Sequence, residues 1–251
     1  MSFAFTRTII LSLGFILIVM SIFSAATPVA PDSIARGPSE RAPLTGGSNA
    51  QVSEGGNVTP LFVSGQRITA RWQGYYGNVS GGITLADSSG NSMYDWGLVN
   101  PSGEIYAANF TTVTWGDIFC ANFSAVLAEE NLNRDTLNAF IGYGSDTEKA
   151  SDDSINATFN QTFTGTVIVG SRTFTWVDNC SMVTLNTASG YQTADFQEII
   201  LTDNVSVVFT SILEQNVGGF NSIPSDFEMI VGVNSTVSGT TRTFYFFVEL
   251  S

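Results

Sequence analysis

Two cysteines, nine asparagine triplets and an excess of carboxylates hold most of the chemistry this chain can offer. Cys120 and Cys180 sit in surroundings that echo each other: Thr114-Trp115-Gly116-Asp117-Ile118-Phe119-Cys120 against Thr175-Trp176-Val177-Asp178-Asn179-Cys180. Each has a Trp, an Asp two residues on, and the Cys soon after. In an exported chain an even cysteine count reads as a disulfide. Closing a loop of about 60 residues would contribute roughly 4 kcal/mol in the chain-entropy picture. Two buried free thiols are the competing reading, and a two-cysteine metal site without histidine is a weaker one.

N-x-S/T triplets stand at Asn57, Asn78, Asn109, Asn122, Asn156, Asn160, Asn179, Asn204 and Asn234. Composition alone would give roughly four, so nine is an excess that favours use of several as N-glycosylation acceptors. The competing reading is that Asn, Ser and Thr are simply abundant in β-turns. Pro60 after Thr59 weakens the first site, and Asn179, beside Cys180, is open to burial.

The chain has no histidine, which excludes imidazole bases, the common Ser-His-Asp and Cys-His arrangements, and histidine-ligated haem or zinc. Nine basic residues against 22 acids give a net charge of −13 with no basic cluster, so nucleic acid is a poor partner. Calcium has two candidate oxygen clusters: Asp87, Asn91 and Asp95 near one turn, and Asp146, Glu148, Asp152 and Asp153 in one loop. Neither completes a calcium-loop signature, so solvated turns are the stronger reading and no cofactor is expected. Asp117 and Asp178 would approach each other across a Cys120–Cys180 bridge, as glycoside hydrolysis requires of a carboxylate pair. With so many acids one such approach means little, and no enzyme is expected. Trp72, Tyr75 and Tyr76 are candidates for stacking on sugars, although packing into a core is the stronger reading.

These residues need a scaffold, and its pattern is β. Arg71 to Trp96 alternates polar and apolar residues between glycines, with Ile83 to Asp87 and Ser92 to Trp96 as a hairpin around Ser-Ser-Gly-Asn. That stretch is expected to nucleate an antiparallel sheet. Further strands are expected at Ile105–Ala108, Thr111–Trp115, Thr162–Val169 and Arg172–Val177. Others fall at Asp195–Leu201, Val205–Leu213, Phe227–Val233 and Thr243–Leu250. The last would put Phe244, Phe246, Val248 and Leu250 on one face, docking the terminus in the core and leaving no room for a C-terminal anchor. Between these runs, Phe123 to Leu132 takes a helical period, and a second short turn from Asp135 follows. The fold class is mainly β: an antiparallel β-sandwich, Ig-like or jelly-roll-like, with a short helical insertion near residues 122–141.

Three parts are expected along the chain. Residues 1–26 read as a signal peptide: Arg7, an apolar run from Ile9 to Phe23, and small residues at Ser24-Ala25-Ala26 for cleavage. The alternative is a retained membrane anchor, since about 19 residues approach the length that spans a bilayer. Residues 27–56 form a spacer rich in Pro, Gly and Ser, with Pro28, Pro31, Pro38 and Pro43 along it. Residues 57–251 form a single β-sandwich domain. Its first stretch, Asn57 to Val63, alternates weakly and is a candidate strand, one that could pair with another subunit.

Trp72-Gln-Gly-Tyr-Tyr-Gly-Asn-Val-Ser-Gly81, Ile83-Thr-Leu-Ala-Asp87 and Met93-Tyr-Asp-Trp96 resemble a block in secreted archaeal cell-surface β-proteins of uncharacterised function. Asp226-Phe-Glu-Met-Ile-Val231 and Phe244-Tyr-Phe-Phe-Val-Glu-Leu250 resemble the C-terminal blocks of that group. The resemblance implies an extracellular or cell-surface location and brings no catalytic motif. The expected role is structural: an N-glycosylated subunit of an extracellular filament or layer, self-associating by strand exchange. The alternative is an adhesion module for glycans or surfaces, with a hydrolase third.

Overall fold

The computed structural model describes residues 27–43, 52–63, 68–121, 152–189, 194–233 and 241–250. Strands arise where β-branched and aromatic residues concentrate, and turns where Gly, Asn, Asp and Ser collect. Along the chain come β1 (Trp72–Gly77), then the hairpin of β2 (Gly81–Ala86) and β3 (Ser92–Leu98), then β4 (Gly103–Ala108). A 3-10 turn at Trp115–Asp117 leads into β5 (Phe119–Cys120). A single helical turn, α1 (Ile155–Thr158), precedes β6 (Gln161–Thr162), β7 (Val167–Val169) and β8 (Arg172–Phe174). A second 3-10 turn at Trp176–Asp178 leads into β9 (Ser181–Thr184). The remainder is β10 (Gln197–Thr202), β11 (Val207–Ile212), β12 (Val217–Gly218), β13 (Pro224–Ser225), β14 (Phe227–Gly232) and β15 (Tyr245–Leu250).

The main sheet has seven strands, ordered β15-β4-β11-β10-β9-β6, with β5 pairing β10 alongside β9. Every strand pairing among the described residues is antiparallel. The fold is therefore mainly β, as the alternation implies. A hydrophobic cluster lies on each face of the main sheet. On one face Ile105, Ala107, Phe209 and Ile200 pack under the β1–β14 ribbon, with Met229, Val231, Trp72 and Tyr75. On the other, Tyr106, Val208, Ile199 and Leu201 pack with Val167, Val169 and Phe174 of the β7–β8 hairpin. Burial on both faces explains why β10 and β11 read as nearly continuous apolar runs rather than as alternation.

Several expectations hold in detail. β10 and β11 pair around the Asp203-Asn204 turn, where Asn204 takes a left-handed conformation (φ 71°). Phe244, Phe246, Val248 and Leu250 all belong to one cluster, while Phe247 belongs to the other. Pairing of β2 with β3 follows the expected hairpin.

Others are corrected. That hairpin nucleates nothing larger: it forms a two-stranded sheet of its own, mostly exposed, outside the main sheet. Thr111–Trp115 is not a strand. Its donors find loop partners instead: Thr114 N–H bonds the Asp203 carboxylate (2.8 Å) and Trp115 N–H bonds the Val113 carbonyl (3.1 Å). The long strand expected over Thr162–Val169 is broken between β6 and β7, and Arg172–Val177 ends early because Trp176 enters a 3-10 turn. Strand β9, too short and too polar at its ends to stand out in the sequence, completes the sheet. Residues 57–63 form no strand; Val58, Phe62 and Val63 are almost fully exposed. The helical insertion near residues 122–141 and the segment 1–26 lie outside the described residues. No helix among the described residues is long and apolar enough to cross a membrane.

Candidate functional site

The open side of the main sheet is the edge of β15. Its inner side is fully paired with β4, from Tyr245↔Ala108 to Leu250↔Gly103. On the outer side, among the described residues, pairing amounts to one bridge at Val29. Val29 N–H donates to the Val248 carbonyl (3.0 Å), and Val248 N–H donates to the Val29 carbonyl (2.8 Å). Because backbone groups alternate direction along a strand, Phe246 and Leu250 aim theirs at the same outer side. Pro28 is buried beside the bridge. The spacer is thus anchored at its start, a contact its composition does not announce. Residues 52–63 lie exposed beyond it, carrying unburied Val58, Leu61, Phe62 and Val63. The opposite edge, β6, is two residues long, which protects it.

Asparagine triplets fall mostly on turns. Asn57, Asn78, Asn160, Asn179 and Asn204 are exposed. Asn179 is no exception: it caps the Trp176–Asp178 turn in a left-handed conformation, and burial falls on Cys180 instead. Asn109 is half-buried and engaged, its Oδ1 accepting from Val207 N–H (2.8 Å). The side chain of Asn156, and Asn122 and Asn234 altogether, lie outside the described residues.

Cys120 and Cys180 form a disulfide with Cα atoms 4.7 Å apart. The sequence echo around them is structural: each Trp-x-Asp forms a 3-10 turn just before its half-cystine. The bridge joins two segments that share β10 as neighbour, and Ser181 N–H also bonds the Ala121 carbonyl (3.0 Å) across the join. Asp178 spends its carboxylate on its own turn, accepting from Thr175 N–H (2.7 Å).

The three aromatic candidates separate. Trp72 packs against Phe159 and Phe209 and donates its indole N–H to the Asp153 carbonyl (2.8 Å). Tyr75 meets Phe246 edge-on. Only Tyr76 is exposed, against a likewise exposed Phe220. A larger exposed apolar face lies on the hairpin, where Ile83 opposes Trp96 and Leu85 opposes Tyr94.

The first calcium cluster is taken up internally. Asp87 accepts from Ser89 N–H, Asn91 N–H and the Asn91 side-chain amide. These bonds, the Asn91 amide foremost, hold its carboxyl below the usual range. Of the second cluster, Asp146 and Glu148 lie outside the described residues. Among the described residues no group of three His, Cys, Asp or Glu side chains could hold a metal ion. A cleft of about 180 Å³ lies between Val79, Leu98, Pro101, Glu214 and Asp226. It is smaller than usual ligand pockets, and Asp226 there is committed to Val79 N–H (2.8 Å) and Asn216 N–H (3.2 Å).

Acids that matter most inside the fold were not singled out by sequence: Asp203, Glu104, Glu198 and Glu249. Asp203 accepts from Thr114, Val205 and Ser206 N–H groups, and these outweigh the upward push of burial to hold its carboxyl low. The available signal was an acid inside an apolar strand run, as in Gln197-Glu198-Ile199-Ile200-Leu201.

No family model, curated protein or solved structure matches this chain.

Proposed function

We propose that this chain is an exported, N-glycosylated structural subunit of an archaeal cell surface, assembled into a filament or layer by strand exchange between copies. The observation that carries the reading is the outer edge of β15, paired at Val29 alone among the described residues, in a chain that also exposes an apolar stretch at Val58–Val63. An open edge offers a row of backbone donors and acceptors to a neighbour's extended segment. The disulfide fits an oxidising compartment, and exposed triplets at turns fit decoration by sugars. Partners on this reading are further copies and other surface components. Deleting residues 27–63 should leave a folded monomer that no longer polymerises; unchanged oligomers would reject the proposal. An intact mass above that of residues 27–251, in steps matching sugars, would establish leader removal and decoration together.

A second reading, adhesion to glycans or surfaces, is favoured by the exposed face of Ile83, Leu85, Tyr94 and Trp96, where the Tyr94 and Trp96 rings lie 4.8 Å apart. Glycan-array binding lost on Trp96→Ala would support it, and silence on the array would count against it.

A further inference from the structure

Two places in the core put carboxyl groups where hydrogen-bond counting demands a proton. The first lies between β4 and β15. Glu104 and Glu249 are register partners, both on the face that carries Tyr106 and Phe247. The Tyr106 hydroxyl oxygen lies 3.1 Å from Glu249 Oε2 and 3.4 Å from Glu104 Oε2. A hydroxyl has one hydrogen and can donate to one of them. Glu249 Oε2 already accepts from Gly170 N–H (2.9 Å), at the β7–β8 turn, and so is placed as the acceptor. Glu104 then has a favourable bond to the Tyr106 oxygen only if it donates a proton of its own. Were both carboxyls ionised, two negative charges would face each other across the β4–β15 pair, Glu104 buried and Glu249 half-buried.

The second place is Glu198 on β10, buried between the main sheet and β14. Its Oε2 accepts from Ile230 N–H (2.9 Å), while Oε1 is buried without a hydrogen-bond partner among the described residues. An ionised carboxylate enclosed with one bond and no cation paired to it among the described residues is costly, whereas the neutral acid is tolerable.

We propose that Glu104 and Glu198 are carboxylic acids in the folded protein, and that the Glu104 proton completes a relay through the Tyr106 hydroxyl to Glu249 that clasps β15 to β4, so the domain is most stable in acid and loosens when the medium is neutralised.

The groups acting on each acid agree. Glu104 is raised to about 8, by burial first and then by the charge of Glu249, with the Tyr106 hydroxyl opposing. Glu249 is raised by burial, with the Gly170 N–H and the Tyr106 hydroxyl opposing. Tyr106 is pushed up by burial and then by both carboxyls, so it remains a neutral donor. Glu198 is raised by burial, opposed by Ile230 N–H. Glu214 and Glu228 are raised chiefly by burial as well. A carboxyl whose folded pKa lies above its unfolded value of about 4.3 stabilises the fold fully below that value. The contribution disappears as pH rises through the folded pKa, which for Glu104 places the loss between about 4.3 and 8.

The test is thermal unfolding of the full chain at pH 5 and pH 9, with Glu104→Gln and Glu198→Gln beside it. The melting temperature should fall on the order of 10 °C from pH 5 to pH 9. Glutamine still donates a hydrogen bond but cannot ionise, so each variant should shrink that fall while leaving the pH 5 value nearly unchanged. Amide protection in β15 should drop with rising pH before that in β11. A melting temperature that is flat or rises toward pH 9 would overturn the proposal. So would a Glu104→Gln variant equally weakened at both pH values, the mark of a merely structural role. If the variants fail to fold, infrared spectra of the wild-type chain decide: a protonated-carboxyl band persisting at pH 7 supports the proposal, and its absence refutes it.

Discussion

Strand pairs β10–β11 and β2–β3 are both antiparallel hairpins, yet one is the centre of the molecule and the other hangs from its side. β10 and β11 bury almost every residue, with one cluster above and another below. β2 and β3 leave Ile83, Leu85, Tyr94 and Trp96 open to solvent although their side chains are no less apolar. Aromatic loading therefore does not mark the core; what marks it is an apolar run without alternation, which only a strand covered on both faces can satisfy. The hairpin joins the body at its base, where Gly81 sits against the Leu250 side chain, which a Cβ at that position would have to push aside.

The largest effect should come from the centre. Phe209, fully buried, fills the space between Trp72, Phe159 and Phe244. Phe209→Ala should cost about 3 to 5 kcal/mol in denaturant unfolding. Removing the disulfide with Cys120→Ser and Cys180→Ser should cost roughly 4 kcal/mol if the unfolded chain is unstructured, read as a lower midpoint with a steeper slope because the uncrosslinked unfolded chain exposes more surface. Gly103→Ala should act at the edge: at φ 121° a Cβ would run into the Glu249 carbonyl, so β15 must shift from β4 and its amides should exchange faster. Asp203→Ala should cost roughly 1 to 3 kcal/mol by stranding the N–H groups of Thr114, Val205 and Ser206. Its carboxyl is held low, so its contribution is present above about pH 4 and fades as pH falls through the lowered value; the variant should lack that acid limb. Trp96→Ala should be smallest, within about 0.5 kcal/mol. A loss of 2 kcal/mol there would dissolve the contrast between the two hairpins.

Much of this architecture was legible in the chain. Val205 to Leu213, the Asp203-Asn204 turn and the alternating faces of Phe244 to Leu250 follow from periodicity and turn chemistry. The disulfide followed from two cysteines and their matching flanks. Thr111 to Trp115 misled because its Thr and Val favour strands, while the competing partner, the Asp203 carboxylate, lies about 90 residues away along the chain. The docking of Val29 on Val248 could not be read for a similar reason: a single bridge leaves no periodic trace. Most acids lie at the surface, and sequence alone points there; Glu104 and Glu198 depart from that through tertiary enclosure alone.

The most direct measurement is imaging of the surface of cells that make this chain, at a resolution that traces strands. An additional strand lying along Phe246, Val248 and Leu250, donated by the neighbouring copy in place of the Val29 bridge, is the predicted result. A monomer, or an assembly in which that edge faces solvent, would contradict it.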